Sequence, residues 1–386
     1  MPKRNNAFCI KPWTQACIRT NGDITLCCQS LEKSNFNLKT STIEAWWNSE
    51  FVSTTRTQML NKTIPPACMS CAAEEQQGGI SLRQKSNKEY KIFEQYAEQT
   101  LSHFRYPMLS PIEMEIQLTN LCNLKCLMCA EEASSALLSE NMRLRINIAK
   151  PVDYTLSDSD FNKIQAWIAT KPKSINFRGG EPLMVPEIKR LLQWGVEQEL
   201  LADTVIHIST NATKLDNEWM SILTSIKQLR IMVSIDAIGQ LNDYIRFGSK
   251  WDIINTNVAK LSRIPGINLV VHATIQNLNI LSIGNLITWC ELNSYFFDFT
   301  ILSEPTIFKL TNLPSNLLSD AMHNLRELSD TAGNGAHLAD IVEHAIQSLD
   351  SEWDNFKNEI NMRDQARNTS ILDIIPQFRE YWHAKN

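Results

Sequence analysis

The chain is 386 residues long, carries a formal net charge of −5, and is 43% hydrophobic and 20% charged. These fractions are those of an ordinary globular protein, and the length favours two modules over one hydrophobic core. A nucleic-acid-binding protein would show a basic excess, so we expect no nucleic acid partner.

No stretch approaches the run of about 20 apolar residues that a membrane span needs, so we expect no membrane partner. Residues Met1–Asn6 lead to Cys9 without a long apolar region, and no signal peptide is expected. Ten cysteines in a chain without an export signal indicate metal ligation rather than disulfides. These observations predict a cytoplasmic protein.

In chain order, a module over residues 1–85 comes first, with a predicted hairpin and a predicted helix. The Asn21–Gly22 pair is typical of a tight hairpin turn. The run Ser41–Glu44 has the pattern of a capping box, which predicts a helix that carries Trp46, Trp47 and Phe51.

The same module contains enough cysteines for a filled metal site. Cys9 lies upstream of the hairpin, Cys27 or Cys28 follows it, and Cys68 and Cys71 form a C-x2-C pair. Four thiolates are the number that a complete iron–sulfur or zinc site takes. We prefer Cys27 to Cys28 as the ligand, and structural zinc is the alternative to an iron–sulfur cluster.

A polar, helical connector is predicted for residues 86–110, then a body over 111–305 and a C-terminal helical segment over 306–386. The body alternates short strands with longer helices, which predicts a parallel α/β fold. The predicted strands are Ile112–Leu118, Ser174–Phe177, Val205–Ser209, Leu229–Ile235, Leu269–Ile275 and Phe296–Leu302.

Polar residues alternate with apolar ones along several of these strands. In the first strand, Met114 and Ile116 share one parity, and Glu115 and Gln117 share the other. Because alternate side chains point to opposite faces, one face packs on helices and the other is polar. We therefore predict a barrel interior that holds a polar ligand.

Four further side chains have an ordinary structural interpretation. His207 and His272 share the polar parity, and we prefer hydrogen-bonded interior histidines to proton donors or substrate contacts. Cys17 is interpreted as a strand residue and Cys290 as part of a helix core.

The most informative spacing in the chain is C-x3-C-x2-C, at Cys122, Cys126 and Cys129. Three thiolates fit on one tight loop around a cubane iron–sulfur cluster, which normally takes four cysteine ligands. Three ligands leave one iron open to bind a substrate or cofactor. Zinc knuckles usually consist of two C-x2-C pairs, so zinc and buried core cysteines are the weaker alternatives.

A second motif, formed by Gly179, Gly180, Glu181 and Pro182, ends the second strand of the body. Two glycines let the backbone come close to a ligand, and a carboxylate can accept hydrogen bonds from an ammonium group. Alone, this sequence is more typical of a simple turn. One strand after the cysteine loop, it indicates a ligand site.

Polar residues also close the next two strands. Asn211, Ser234 and Asp236 lie at strand ends, where ligands bind in α/β barrels. Helix capping is the alternative, and for Asn211 it is as well supported as ligand contact. Arg246 follows soon after, with a surface arginine as the competing interpretation.

The cysteine loop and the Gly-Gly-Glu-Pro motif resemble the signatures of the radical S-adenosylmethionine (SAM) superfamily. The resemblance implies a partial (β/α)6 TIM-like barrel, a [4Fe-4S] cluster at the loop, and SAM on the open iron. It implies that Glu181 holds the SAM amino group and that Arg246 lies near the carboxylate. Ser234 and Asp236 would hold the ribose and methionyl carboxylate region. The family often has an aromatic residue at the position of Met128, whose thioether can also pack on adenine.

The N-terminal cysteines resemble the SPASM or twitch module of the same superfamily, which binds auxiliary [4Fe-4S] clusters. That module usually follows the barrel, whereas here it precedes the barrel. The cysteines suffice for one complete auxiliary cluster, which favours the shorter twitch form.

The resemblance implies a radical SAM enzyme of oxidoreductase or mutase type, in which a 5′-deoxyadenosyl radical abstracts a substrate hydrogen. We expect a peptide or protein substrate and an electron donor such as flavodoxin or ferredoxin. The auxiliary cluster would relay electrons or anchor the substrate. The alternatives are a small polar substrate (a sugar, nucleotide or antibiotic precursor) and, from another class, a non-catalytic iron–sulfur or zinc scaffold. The sequence identifies no catalytic side chain.

Overall fold

The computed structural model describes residues 7–32, 34–76, 81–89, 110–146, 156–328, 331–347, 349 and 352–382. Most of the connector predicted for residues 86–110 lies outside these residues, so it stays a prediction.

The chain divides into two compact units, each built from several segments. Unit 1 comprises Met1–Asn120, Pro151–Ile208 and Ser221–Leu229, and unit 2 comprises Leu121–Lys150, Ser209–Met220 and Arg230–Asn386. Packing therefore groups separate segments, and the consecutive domains predicted from the sequence stay predictions.

Eight strands are found in the described residues, and they form the mixed sheet of an α/β fold. They are β1 (Gln15–Ile18), β2 (Ile24–Thr25), β3 (Glu113–Gln117), β4 (Ser174–Arg178), β5 (Val205–Thr210), β6 (Leu229–Ser234), β7 (Asn268–Ile275) and β8 (Phe296–Ile301). The six strands predicted for the body are all present, and their ends agree to within one residue.

The N-terminal hairpin extends the sheet instead of forming a separate layer. Cys17 of β1 pairs with Thr25 of β2 in antiparallel orientation, and Gly22 in the turn has φ +83°. On its other side β1 pairs in parallel with β3, and Gln15 lies opposite Glu113. The predicted hairpin is confirmed. Its parallel pairing with β3 was not predicted, because periodicity does not identify which strands pair.

Burial alternates along β5, β6 and the second half of β7 as the sequence predicts, but not along β3, where the neighbours Met114 and Glu115 are both buried. In β6 and β7, Ile231, Val233 and Val271 are buried, whereas Ser234 and His272 are partly exposed. The prediction of one apolar and one polar face is confirmed for these strands. The apolar parity supplies core contacts, and the polar parity leaves hydrogen-bonding groups available.

Helices fill the chain between the strands, in the order expected for a partial (β/α)6 barrel. The described helices are α1 (Lys11–Thr14), α2 (Ile43–Trp47), α3 (Glu50–Leu60), α4 (Met69–Gln76), α5 (Leu82–Glu89), α6 (Ser135–Arg143), α7 (Asp158–Ile168), α8 (Pro186–Glu197), α9 (Asn217–Ser225), α10 (Gly239–Ile245), α11 (Trp251–Leu261), α12 (Ile283–Leu292), α13 (Ser315–Glu327), α14 (Asn334–Ile346), α15 (Trp353–Arg367), α16 (Ile371–Ile374) and α17 (Arg379–Trp382).

The cap of α2 differs from the predicted one. Thr42, not Ser41, is the N-cap, and its hydroxyl accepts a hydrogen bond from the Ala45 N–H at 3.1 Å. The Ser41–Glu44 capping box is wrong because Thr42 has the extended backbone that a cap needs and is itself a good capping residue. The helix then ends at Trp47, and Phe51, predicted to lie on the same helix, lies on α3 because Ser49 caps a new helix.

The predicted C-terminal helical segment contains α13 to α17 and ends in an aromatic cluster. Trp353 stacks on Phe356 with ring centroids 5.0 Å apart, and Phe378 stacks on Trp382 at 6.1 Å. Among the residues that the structure describes, no helix combines the length and the apolar character needed to cross a membrane.

Candidate functional site

The cysteine loop, residues 121–130 of unit 2, is held by backbone hydrogen bonds to the last residue of α10 and to the chain just after it. The Lys125 N–H donates to the Phe247 carbonyl at 2.8 Å, and the Leu127 N–H donates to the Ile245 carbonyl at 2.9 Å. Two bonds at alternate residues fix the middle of a loop that has no regular secondary structure of its own. The thiol of Cys126, which lies between the two bonded residues, is fixed with it.

Gly248 allows this close approach of the two segments. Its φ is +101°, and a Cβ at this position would lie 3.2 Å from the Asn123 carbonyl oxygen. Any other residue would therefore be strained and would push the cysteine loop away.

The three thiols of the loop share one environment. Cys126 is 8% exposed, and Cys122 and Cys129 are partly exposed. Burial raises the pKa of the Cys126 thiol, the Arg246 guanidinium opposes this rise, and the other two thiols add to it. Burial likewise raises the pKa of Cys129 to about 11. Cys126 and Cys129 therefore resist ionisation as free thiols, and a bound cation stabilises them as thiolates.

Asn211 supports the cysteine loop from the end of β5. Its amide nitrogen lies 3.8 Å from the Cys122 sulfur and donates to the Asn123 side-chain oxygen at 3.2 Å. The Asn123 amide in turn donates to the Thr213 hydroxyl at 3.0 Å. The predicted cofactor residue Asn211 thus lies at the first thiol of the loop.

Asp236 and Arg246 form a buried ion pair beside the loop. The Arg246 Nε lies 2.8 Å from the Asp236 carboxylate, and the two residues are 8% and 0% exposed. The other carboxylate oxygen of Asp236 accepts a hydrogen bond from the Thr274 N–H at 2.8 Å. Asp236 therefore orients Arg246, and a direct ribose contact would compete with these two partners.

Ser234 lies on the polar face of unit 2, opposite His272 in the register of β6 and β7. His272 is hydrogen-bonded on both ring nitrogens, with Asp298 and Thr300 each at 3.3 Å. This agrees with the interpretation of His272 as a hydrogen-bonded interior histidine. Ser234, His272 and Asp298 nevertheless lie opposite one another on three neighbouring strands, so polar side chains meet at this point of the sheet.

The Gly-Gly-Glu-Pro motif belongs to unit 1. Gly179 has φ +109°, and a Cβ there would lie 3.1 Å from the Thr119 carbonyl oxygen. The Gly180 N–H donates to the same carbonyl at 3.0 Å. Glu181 is 1% exposed, and its carboxylate accepts the Leu183 N–H at 3.0 Å, which caps the turn that begins at Pro182. The motif builds a tight turn with a buried, oriented carboxylate.

A second group of cysteines lines one pocket of unit 1, which we call the four-cysteine pocket. Its lining includes the predicted ligands, and no other cysteine of the described residues takes part. The lining residues are Cys9, Lys11, Cys27, Gln29, Ala67, Cys68, Ser70, Cys71, Leu82 and Arg83.

Cys27 and Cys28 face different surroundings. Burial raises the pKa of the Cys27 thiol to about 12, with Cys9 as the next largest influence. Burial also raises the pKa of Cys28 to about 12, but there the next largest influence is the Glu115 carboxylate. Cys27 therefore belongs to the pocket, while Cys28 lies towards the polar face of β3.

Two buried cations line the four-cysteine pocket. Lys11 and Arg83 are 7% and 9% exposed. Lys11 lies 4.0 Å from Glu113, and Arg83 forms an ion pair with Glu75. Positive charge at the pocket wall suits a site that gathers four thiolates.

Both sites fit iron–sulfur clusters by the number of their thiols. Four thiols complete a [4Fe-4S] cluster, and three on one loop leave an iron open. Within the described residues, no group of three or more His, Cys, Asp or Glu side chains is arranged to hold a single metal ion. The buried Arg246 guanidinium beside the loop is a positive charge of the kind that binds a carboxylate.

Sequence reasoning missed three buried charges close to the cysteine loop: Glu140 of α6, and Arg363 and Arg367 of α15. A signal for the two arginines exists in the sequence. The buried positions Phe356 and Ile360 continue at helical spacing to Arg363 and Arg367. Arginines on the core face of a helix indicate buried acidic partners.

Two family models match the chain, and each covers one of these sites. The model described as the radical SAM superfamily matches residues 116–280, which include the cysteine loop. The SPASM model, described as an iron-sulfur cluster-binding domain, matches residues 9–72, which include the four-cysteine pocket's thiols.

Individual relatives are more distant. "Sporulation killing factor maturation protein SkfB" of Bacillus subtilis (strain 168) is 26% identical over 183 residues, 47% of this chain and 40% of SkfB. The chain thus spans about two fifths of that relative's length.

Solved structures of Streptococcus suis SuiB are also similar. SuiB bound to S-adenosylmethionine has 15% identity and a TM-score of 0.42, covering 77% of this chain and 64% of SuiB. SuiB bound to precursor peptide SuiA has 16% identity and a TM-score of 0.42, covering 81% and 65%. The chain thus contains a region, residues 116–280, that matches the radical SAM superfamily, and before it a region, residues 9–72, that matches the SPASM iron–sulfur cluster-binding domain.

Proposed function

We propose that this protein is a radical SAM enzyme that modifies a peptide and uses two [4Fe-4S] clusters. The observation that carries the proposal is two thiol sites of different ligand number. A cluster on three thiolates keeps an open iron for SAM, whereas four thiolates complete a cluster that is not open. The proposed ligands are Cys122, Cys126 and Cys129 for the SAM cluster, and Cys9, Cys27, Cys68 and Cys71 for the auxiliary cluster.

When bound, the SAM cluster and SAM supply a 5′-deoxyadenosyl radical that abstracts a hydrogen atom from the substrate. The residues around the loop bind and orient. Asn211 and the carbonyls after α10 hold the loop in place. Arg246 offers a buried positive charge for the SAM carboxylate, and Asp236 keeps its guanidinium oriented. Ser234 is proposed to contact the ribose region.

The motif in unit 1 is proposed to bind the SAM amino group through Glu181 and the backbone of Gly179 and Gly180. One Glu181 oxygen accepts the Leu183 N–H, which fixes the carboxylate's direction. An ionised carboxylate has further acceptor positions, so it can bind an ammonium group at the same time. Pro182 holds the turn that presents the carboxylate.

A peptide is the proposed substrate class because SkfB, by its printed name, is a maturation protein of the sporulation killing factor. The polar face of the strands provides hydrogen-bonding groups that suit a peptide backbone. A sugar, nucleotide or antibiotic precursor would also bind a polar face and is the second candidate. A flavodoxin or ferredoxin is proposed as electron donor, in the reducing cytoplasm that such clusters need.

The test is anaerobic reconstitution followed by incubation with dithionite and SAM. We expect 5′-deoxyadenosine, measured by liquid chromatography and mass spectrometry. Adding peptides encoded by genes next to this one should produce a peptide of changed mass. No 5′-deoxyadenosine from a fully loaded sample would contradict the enzyme and favour the scaffold. Modified sugars or nucleotides, with unchanged peptides, would contradict the peptide substrate.

A further inference from the structure

A group of buried charges joins the C-terminal helix α15 to the cysteine loop. We name it the arginine clamp, and it consists of Glu140, Arg363 and Arg367. The Glu140 side chain is 0% exposed, and those of Arg363 and Arg367 are 9% and 2% exposed. Burying three charges is costly unless each is closely paired, so their arrangement needs a reason beyond packing.

The single carboxylate binds both arginines. Arg363 donates to Glu140 at 2.9 Å and to the Asn141 side-chain oxygen at 2.7 Å, and Arg367 donates to Glu140 at 2.6 Å. Burial alone raises the pKa of Glu140, but the hydrogen bond and charge of Arg367, with the charge of Lys125, lower it overall. Glu140 is therefore ionised at neutral pH and links α6, which follows the loop, to α15.

Arg367 also contacts the cysteine loop itself. Its Nη2 donates to the Lys125 carbonyl at 2.9 Å, next to Cys126 in the chain. Its guanidinium lies over the Phe247 ring, 4.7 Å from the centroid. The Lys125 amine reaches back to Glu140 at 3.4 Å. Lys125 is thus bound at its carbonyl, its amine and its N–H, and the last bond goes to Phe247.

A further hydrogen bond connects α15 to the segment whose carbonyls bind the loop backbone. The Tyr244 hydroxyl of α10 donates to Asp364 at 2.9 Å. The residues just after Tyr244, Ile245 and Phe247, supply the two carbonyls that bind the loop backbone. Helix α15 therefore reaches the loop directly through Arg367 and indirectly through α10.

We infer that α15 is a positioning element for the three-thiol loop, with Arg367 as its main positioning residue. Arg367 contacts no thiol in the described hydrogen bonds, and it acts by fixing the Lys125 carbonyl and the Glu140 side chain. A planar guanidinium that binds a carboxylate, a carbonyl and a ring at once cannot be replaced by lysine. The inference rests on the proposed function in one respect only, namely the identity of the cluster that the three thiols bind.

The test measures thiol reactivity in the full-length, cluster-free protein. Iodoacetamide alkylation rates of Cys122, Cys126 and Cys129 are read by peptide mapping in the wild type and in Arg367→Lys. We expect about tenfold faster alkylation in the variant, because a lost charge-assisted hydrogen bond makes local opening of the loop easier. The thiols Cys9 and Cys68 of unit 1 serve as the internal reference and should keep their rates.

A second, milder variant distinguishes a local effect on the loop from a general folding defect. A variant in an exposed ion pair is the control. Tyr244→Phe removes one hydroxyl and should accelerate the same thiols by a smaller factor. Arg326→Lys changes an exposed Arg–Glu pair, with side chains 47% and 49% exposed, and should change no rate. In the loaded protein, Arg367→Lys should raise the KM for SAM more than it lowers kcat for 5′-deoxyadenosine formation.

Unchanged rates at the loop in both Arg367→Lys and Tyr244→Phe would overturn the inference, as would equal acceleration at Cys9 and Cys68. Failure of the proposed function looks different. In that case the wild type forms no 5′-deoxyadenosine, while the loop thiols still react faster in Arg367→Lys, which supports the positioning role of α15.

Discussion

The cysteine loop and the four-cysteine pocket are two different ways to gather thiols. In the loop, three cysteines lie within residues 122–129, so the sequence itself brings them together. In the pocket, Cys9, Cys27, Cys68 and Cys71 come from segments far apart in the chain, and tertiary packing brings them together. The first site is formed by one short sequence motif, whereas the second forms only when unit 1 folds.

The difference also appears in what holds each site. The loop has no regular secondary structure, and carbonyls after α10 and the arginine clamp fix it from outside. The pocket takes its thiols from the residue Cys9 before α1, from the end of the hairpin, and from α4 and the turn just before it. The cysteine loop thus depends on contacts with distant parts of the chain, whereas the four-cysteine pocket is stabilised by the same elements that contain its thiols.

The largest expected effect tests the dispersed site. Cys27→Ala should lower the iron content of the reconstituted protein from about eight to about four per chain, because one [4Fe-4S] cluster loses a ligand. Cys28→Ala, one residue away, should keep about eight irons. Iron analysis of the two variants decides the assignment, and the reverse pattern would show that Cys28 is the ligand.

The next effect tests the support of the loop. Glu140→Gln leaves Arg363 and Arg367 buried without their carboxylate, which should cost about 3–5 kcal/mol of unfolding free energy at pH 7. Urea unfolding followed by tryptophan fluorescence measures this change. Glu343→Gln, in the exposed pair with Arg326, is the control and should cost about 0–1 kcal/mol. Equal costs in the two variants would contradict the clamp.

The free energies of unfolding of the wild type and Glu140→Gln should differ less at acidic pH than at pH 7. The pKa of folded Glu140 lies below its ordinary value of 4.5, so its contribution is complete above about pH 4.5. It is lost as the pH falls through the lower, folded pKa. The stability gap between wild type and Glu140→Gln should therefore narrow below pH 4.5. A gap that stays constant from pH 7 to pH 3.5 would contradict this assignment.

The smallest effect tests the turn of the Gly-Gly-Glu-Pro motif. Gly179→Ala combines φ +109° with a Cβ 3.1 Å from the Thr119 oxygen. It should cost about 1–3 kcal/mol more than Gly266→Ala, whose φ is also positive at +72° but whose Cβ would meet no atom within 4 Å. Urea unfolding again provides the comparison, and equal costs would show that the close approach is unimportant.

Much of the fold can be read from the sequence. The strands of the body agree with prediction because alternating residues such as Val233 and Ser234 indicate both the strand and its two faces. The hairpin agrees because Gly22 can adopt the positive φ that the turn requires. The cap at Thr42 differs, because neighbouring hydroxyl residues compete for one position and only the backbone decides between them.

The remaining features depend on contacts between distant residues. Nothing in β1 indicates that Gln15 pairs with Glu113, and the spacing of Cys27 and Cys28 cannot say which thiol faces Cys9. The clamp is an intermediate case. The helical spacing of Arg363 and Arg367 shows that both are buried, but Glu140 lies more than two hundred residues earlier in the chain.

The most direct test of the two-site account compares Cys126→Ala with Cys68→Ala in the same anaerobic assay. Cys126→Ala should form no 5′-deoxyadenosine from SAM under dithionite. Cys68→Ala should still form it, while losing about half of the iron and all modification of the true substrate. Formation of 5′-deoxyadenosine by Cys126→Ala, or its complete loss in Cys68→Ala, would contradict the assignment of SAM cleavage to the cysteine loop alone.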